Sequence, residues 1–218
     1  MQHSTQGIVL TTTRYKDNAY IANIFTKDFG KVSYAVYNPQ SKRAKIKLQH
    51  LQPMSIVDIE VTHRENKDIQ QLSEAKLHPL SYQLYDHPGK ISICFFLAEI
   101  IQRSIETTNV DVDLYQFITH SLETLVQSKE IQAFPLAFLL DFSKYIGIYP
   151  YDEVENEVIK LLSNEDKELF SRLLQQPQGL TLGERRRSMQ LIIDYYKHYL
   201  PGMGEIKSLS VLTELFSA

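Results

Sequence analysis

One cysteine, no tryptophan and eight scattered glycines set the first limits on this 218-residue chain. A single thiol, Cys94, leaves no disulfide within the chain. It sits in the apolar run Ile93-Cys94-Phe95-Phe96-Leu97, which marks it as packed interior rather than as a nucleophile. No Gly-Lys-Ser/Thr occurs, which excludes a phosphate loop. No Gly-x-Ser-x-Gly is present, so the nucleophile elbow of a hydrolase is missing. Seven histidines show neither metal-ligand spacing nor a His-Glu-x-x-His pattern, and no metal is expected. The acidic pairs Asp152/Glu153 and Glu155/Glu157 read as solvated surface. Without convergent groups the chain is expected to be no enzyme and to need no cofactor. No apolar run approaches the ~18 residues of a membrane span. Met1 to Gly7 has neither a basic nor an apolar signal region, so a cytoplasmic protein is expected.

What is present is ordinary in composition, with 43% apolar and 22% charged residues, as in a globular chain large enough to bury a core. The formal net charge of −3 is unevenly spread. Residues 1–80 carry 11 Lys+Arg against 7 Asp+Glu, whereas residues 81–218 carry 12 against 19. A basic opening on an acidic chain points to a polyanion partner for that part alone.

Hydrophobic periodicity changes at the same place. Gly7 to Thr13, Ala19 to Thr26, Lys31 to Tyr37, Ser55 to Val61 and Ile69 to Leu77 read as strands, with Val57, Ile59 and Val61 sharing one face. Turn signals at Tyr15 to Asn18, Lys27 to Gly30 and Arg64 to Asp68 separate them. Five short strands favour a small closed barrel, because closure removes exposed edges. After His78-Pro79 the period is helical. Ile91 to Ile105 is apolar nearly all round, and Leu114 to Leu125 marks a second helix. Ala133 to Ile146 forms a third, with Pro135 in its first turn and Gly147 at its end. Asn164 is placed to cap a helix, Thr181 to Glu184 resembles a capping box, and Leu209 to Phe216 closes the chain. The fold class is α+β: a five-stranded barrel over residues 1–80, then an all-helical domain over 81–218.

The densest positive run, Ser41 to Lys47, holds Lys42, Arg43, Lys45 and Lys47. Arg14, Lys16, Lys27 and Lys31 lie in or beside the first two turns. If a barrel brings these loops to one face, they neutralise phosphates and release counterions. Tyr15, Tyr20, Phe25, Phe29, Tyr34 and Tyr37 are interleaved and suit base stacking, although Phe25 and Tyr34 also fit a barrel core. DNA, RNA and a merely solvated loop all remain open on residues alone. Arg185, Arg186 and Arg187 stand in a first helical turn, where the macrodipole disfavours cations. An anionic partner or neighbouring acidic side chains would offset that cost.

These residues, taken in order, resemble the bacterial RecO family. The resemblance rests on Gly7-Ile8-Val9-Leu10, Tyr15 with Asp17, Ile24-Phe25-Thr26, Gly30-Lys31-Val32, Ser41-Lys42-Arg43 and Leu51-Gln52-Pro53. In the helical part it rests on Phe134 to Leu140, Tyr145-Ile146-Gly147, Tyr149-Pro150, Tyr195-Tyr196 with His198-Tyr199-Leu200, and Lys207-Ser208 with Val211-Leu212. It implies an OB-type barrel followed by a helical protein-interaction domain. It implies binding of single- and double-stranded DNA, strand annealing, and action with RecR and in many bacteria RecF in recombinational repair. It also implies recognition of the acidic C-terminal tail of single-stranded DNA-binding protein, helping recombinase load onto coated DNA, in the cytoplasm at the nucleoid. Apolar surface near Phe134, Phe138 and Phe142, with Arg185, Arg186 and Arg187, is the expected partner-binding region. The rival readings are an RNA-directed barrel protein and a scaffold that binds only proteins.

The chain departs from the family pattern in three places. Many relatives carry a four-cysteine zinc site after the Gly-Tyr-x-Pro stretch, but here Tyr151 to Glu157 is acidic and free of cysteine. Relatives often show Lys-Gly-Ala-Arg where Tyr37-Asn38-Pro39-Gln40 stands, two cations fewer, which implies either a lower DNA affinity or reliance on Lys42, Arg43, Lys45 and Lys47. Gln132 and Ala133 replace an arginine that some relatives use toward the acidic tail.

Overall fold

The structure is a computed structural model and describes the chain apart from residues 1, 42, 43, 65, 106–108, 152–155 and 216–218. Five strands open it: β1 (Gln2–Lys16), β2 (Ala19–Thr26), β3 (Gly30–Tyr37), β4 (Ile56–Thr62) and β5 (Ile69–Leu77). They close in the order β1-β2-β3-β5-β4. Neighbours are antiparallel except β3 and β5, which pair in parallel from Ser33↔Ile69 to Ala35↔Gln71. This is an OB-type barrel, closed through that short parallel pairing.

β1 runs longer than its apolar stretch suggests because it serves two neighbours. Gln2 to Ile8 pair with β4 and Gly7 to Lys16 with β2. At the changeover sits Gly7, where a Cβ would meet Ile24 Cγ2 at 2.4 Å, so only glycine permits this approach. Leu10 and Tyr15 are extra residues in β1, each forming a bulge opposite β2. The first bulge reverses the facing of the strand. Val9 before it lies in the barrel core, and Thr11 after it looks outward. Ala22, Ile24, Tyr34, Val36, Val57, Ile59 and Val61 fill the interior. Ile46 and Leu51, from the connection between β3 and β4, join that core and plug one end. The Thr12 hydroxyl fastens the plug by donating to the Leu51 carbonyl at 2.8 Å.

Contacts divide the chain into two compact units, Met1–Val126 and Gln127–Ala218. The first holds the barrel with α1 (Pro79–Leu84), α2 (Pro88–Ser104) and α3 (Val112–Gln127, whose last residue falls in the second unit). The strand period ends near Pro79, where the sequence indicates. The compact unit continues because α2 packs against β1, and Phe25, on the outer wall, lies 5.9 Å from the Tyr115 ring. Phe25 is therefore buried beneath helices rather than inside the barrel. The histidines preceding α1 and α2 act alike: His78 and His87 accept N–H bonds from Leu80 and Gly89, each with proline at the first helical position. The Cys94 thiol is fully buried in α2, and that burial pushes its pKa up to about 12.

The second unit contains α4 (Phe134–Tyr145), α5 (Glu157–Lys160), α6 (Asn164–Gln175), α7 (Leu182–Tyr199) and α8 (Ser208–Leu215). Pro135 opens α4, and Gly147 follows it at φ +76°, a left-handed position that suits glycine. Tyr196 ties α7 to α4 by donating to the Leu139 carbonyl at 2.6 Å. The cap of α6 is Ser163, not the expected Asn164; its hydroxyl accepts from Asp166 N at 3.1 Å. The Thr181/Glu184 capping box of α7 is formed as expected. Among the described residues no helix is long and apolar enough to cross a membrane.

Candidate nucleic-acid interface

The β1–β2 turn and the start of the β3–β4 connection meet at one end of the barrel. Ala19 pairs with Tyr37, and Asn38 N donates to the Asn18 carbonyl at 2.7 Å. This end carries Arg14, Lys16, Lys45 and Lys47, all exposed. Lys45 and Lys47 flank Ile46, whose burial holds their segment against the barrel. Arg14 stands 3.5 Å from Asp17, and Lys16 Nζ lies 5.3 Å from the Tyr15 ring centre. So exposed an ion pair contributes little and leaves Arg14 open to a phosphate. Lys45 and Lys47 make no ion pair among the described residues. Lys42 and Arg43 lie outside the described residues, in the same connection.

Lys27 and Lys31 are not part of this end. They flank the β2–β3 turn at the opposite end of β3, about 23 Å away at the rise of an extended strand. The Lys31 ammonium donates to the Gln102 carbonyl at 2.9 Å and to the Ile105 carbonyl, at the end of α2. A cation suits those terminal carbonyls. Lys31 thus joins barrel to helix and leaves the set expected to meet a phosphate, while Lys27 stays exposed. The expected single surface resolves into one basic end and a separate turn.

Between the two ends lies the outer face of β1, β2, β3 and β5. Registers place Thr11, Asn23, Ser33 and Ile69 in one row and Thr13, Ile21, Ala35 and Gln71 in the next. Asn23 Nδ2 donates to Thr11 Oγ1 at 2.8 Å, and the Ser33 hydroxyl donates to Asn23 Oδ1 at 2.6 Å. Tyr37 continues the face, 63% exposed, and Ile69 is 42% exposed. Of the interleaved aromatics, Tyr34 is wholly inside the barrel, whereas Tyr15 and Tyr37 are open.

The β2–β3 turn also carries a cluster that periodicity does not reveal. His63 stacks on Phe29 with ring centres 4.1 Å apart, and its Nε2 lies 3.1 Å from the Tyr34 hydroxyl. His3 meets both rings edge-on. Burial, and then His3, hold the His63 imidazole below its usual pKa.

In the second unit the expected partner residues separate. Phe138 and Phe142 are buried, stacked at 5.6 Å, and Phe134 is half-buried beside Phe138. They are helix core, not an open groove. Arg187 grips Asp166 with two hydrogen bonds of 2.7 and 2.6 Å, and Arg172 pairs with Glu184. Because α7 begins at Leu182, Arg187 lies in its second turn, where Asp166 neutralises it and the macrodipole cost is small. Arg172 and the Thr181 cap hold Glu184 down to a pKa of about 2. Arg185 donates to the Leu180 carbonyl at 2.8 Å. Arg186 is exposed and makes no ion pair or hydrogen bond among the described residues. Beside Arg185 and Arg186 opens a small apolar pocket lined by Gln132, Pro135, Leu136, Leu182, Met189 and Leu212. Three segments distant in sequence build it, so no local pattern announces it. Asp152, Glu153 and Glu155 lie outside the described residues. Among the described residues no group of three or more His, Cys, Asp or Glu is placed to hold a metal ion.

Comparison with known proteins decides the family. The family model described as Recombination protein O N terminal matches residues 1–80, and that described as Recombination protein O C terminal matches 87–154. The chain belongs to the RecO family. Relatives named DNA repair protein RecO align end to end. That of Bacteroides fragilis is 31% identical over 242 residues, covering 99% of this chain and all of the relative. Those of Phocaeicola vulgatus and Azobacteroides pseudotrichonymphae are 30% and 29% identical, again over the full length of each relative. RecO membership gives the chain a role in DNA repair and recombination.

Proposed function

We propose that the chain binds single- and double-stranded DNA at the basic end of its barrel, through Arg14, Lys16, Lys45 and Lys47, with Lys42 and Arg43 in the same connection. The observation that carries this reading is the meeting of the β1–β2 turn, with exposed Arg14 and Lys16, and the start of the β3–β4 connection that carries exposed Lys45 and Lys47. Phosphate contacts there release counterions from either form of DNA. Screening the repulsion between complementary strands speeds their encounter, so annealing needs no covalent step and no cofactor. On this reading residues 1–80 are the DNA-binding part and 81–218 the protein-interaction part. The chain acts with RecR, and with RecF where that is present, to load recombinase onto DNA coated by single-stranded DNA-binding protein, in the cytoplasm at the nucleoid.

The pocket of Leu136, Leu182, Met189 and Leu212 supports a tail-binding role. An apolar floor beside two guanidinium groups fits a peptide that ends in an apolar side chain and a carboxylate, the chemistry of the acidic tail of single-stranded DNA-binding protein.

Reversal of Arg14, Lys16, Lys45 and Lys47 to Glu tests the DNA site. Wild-type affinity for single strands is expected to fall with a log–log salt slope of about −3, as for roughly four phosphate contacts. The reversed chain is expected to retain no DNA at moderate salt and to lose annealing of precoated strands. Unchanged affinity in that variant, with an unaltered unfolding midpoint, contradicts the assignment. Preference for RNA over matched DNA strands would favour the RNA-directed reading.

A further inference from the structure

The apolar pocket beside Arg185 and Arg186 has the chemistry of its proposed occupant but not the room. It encloses about 40 Å³, enough for little more than one water, whereas a benzene-sized group needs about 150 Å³. One wall has to move before an apolar side chain enters. Pro135 and Leu136 belong to α4, and Leu182 and Met189 to α7, two helices tied by the Tyr196 bond to the Leu139 carbonyl. The third wall is Leu212 with Thr213, from α8.

α8 is eight residues long, too short to keep a helix by itself in water. Among its described side chains Leu212 alone is buried, at 2% exposure, whereas Val211 is 56% exposed. Ahead of it Met203 and Ile206 are buried and anchor the chain, so motion of α8 starts beyond them. Farther along α7 a second cavity, of about 510 Å³, lies between Gln190, Ile193 and Lys197 of α7 and Leu209, Ser210 and Glu214 of α8. The helix therefore has space into which it can shift.

We infer that α8 is a hinged lid on this pocket: Leu212 fills the seat in the closed state, and an incoming apolar side chain takes that seat when α8 swings out about Lys207. The inference rests on the peptide-binding reading of the pocket and adds how access to it is controlled. Leu212 and the ligand compete for the same apolar surface of Leu136, Leu182 and Met189. The lid thus lowers the apparent affinity in proportion to the fraction of chains that stand open. Once undocked, so short a helix loses its order, so that ligand binding and melting of α8 form one equilibrium.

The test titrates the full-length chain with a labelled acidic peptide that has a C-terminal leucine, read by fluorescence anisotropy. Leu212→Ala removes the anchor of the lid, and its affinity for the peptide is expected to rise at least about threefold. Leu212→Met, which still fills the seat, is expected to stay near the wild-type value. Hydrogen exchange on the wild-type chain gives a second readout that needs no variant: the α8 amides are expected to exchange faster with the peptide bound than without it. Unchanged or weaker binding by Leu212→Ala, or protection of the α8 amides by the peptide, makes α8 a fixed wall and overturns the inference while the pocket reading stands. A peptide that binds neither wild type nor Leu212→Ala removes the pocket reading and this inference together.

Discussion

The Lys31 ammonium and the Gln102 carbonyl lie 2.9 Å apart, joining a strand of the barrel to the last turn of a helix 71 residues onward. A residue that looks in sequence like a phosphate contact is committed to the protein itself. Lys31→Met should therefore cost about 1–2 kcal/mol of stability, the worth of a charge-assisted bond at a helix terminus. Urea unfolding measures this. The salt slope of DNA binding should stay at its wild-type value; a slope shallower by nearly one unit would return Lys31 to the phosphate contacts.

The barrel was legible because its constraints are local. Val57, Ile59 and Val61 alternate with Asp58 and Glu60, and only a half-buried strand satisfies that pattern. The Thr181/Glu184 cap was legible for the same reason: both of its bonds close within four residues. The partners of Lys31 and the apolar pocket were not, since each depends on segments tens of residues apart. The bulges at Leu10 and Tyr15 were also hidden, although they decide which of Val9 and Thr11 faces the core. A facing error of one residue would have exchanged the interior of the barrel with its outer face. The split of the cations follows from the same cause. Lys27 and Lys45 are equally basic in sequence, and only the order of strands shows that their turns are not neighbours.

His63 predicts an acid-sensitive barrel. Its folded pKa is depressed by burial and by His3, so the neutral ring is the form that folding favours. The stability it contributes is complete above the unfolded value near 6.5 and is lost as pH falls through the lower folded value. Unfolding free energies at pH 7.5 and pH 5 should differ more in wild type than in His63→Phe, which keeps a ring against Phe29 but cannot titrate. An identical pH dependence in the two would detach the effect from this ring.

The His87 cap gives a prediction independent of DNA. Its Nδ1 accepts from Gly89 N at 3.0 Å, with Pro88 occupying the first helical position. His87→Ala leaves that N–H without a protein partner and should lower stability by about 1 kcal/mol, whereas His87→Ser, which can cap, should retain most of it. Thermal unfolding of the pair decides; equal losses would mean that the cap bond contributes nothing.

Two adjacent arginines should behave in opposite ways. Arg187 is clamped to Asp166 and binds α6 to α7, while Arg186 stands exposed at the rim of the apolar pocket. Arg186→Glu places a negative charge where a carboxylate-ended peptide would sit, and its affinity for such a peptide should fall tenfold or more, given about 1.5–3 kcal/mol for a charged hydrogen bond. Its unfolding midpoint should not move. Arg187→Glu should instead set two carboxylates against each other, lower the midpoint and leave peptide affinity nearly unchanged. Below pH 4 that second defect should shrink, because Asp166, whose pKa the Arg187 bond depresses in wild type, becomes protonated once the partner is gone. Calorimetric titration with an acidic peptide, amidated in a control to remove its terminal charge, reads the first outcome. A tail that binds both variants alike would place its carboxylate away from the start of α7.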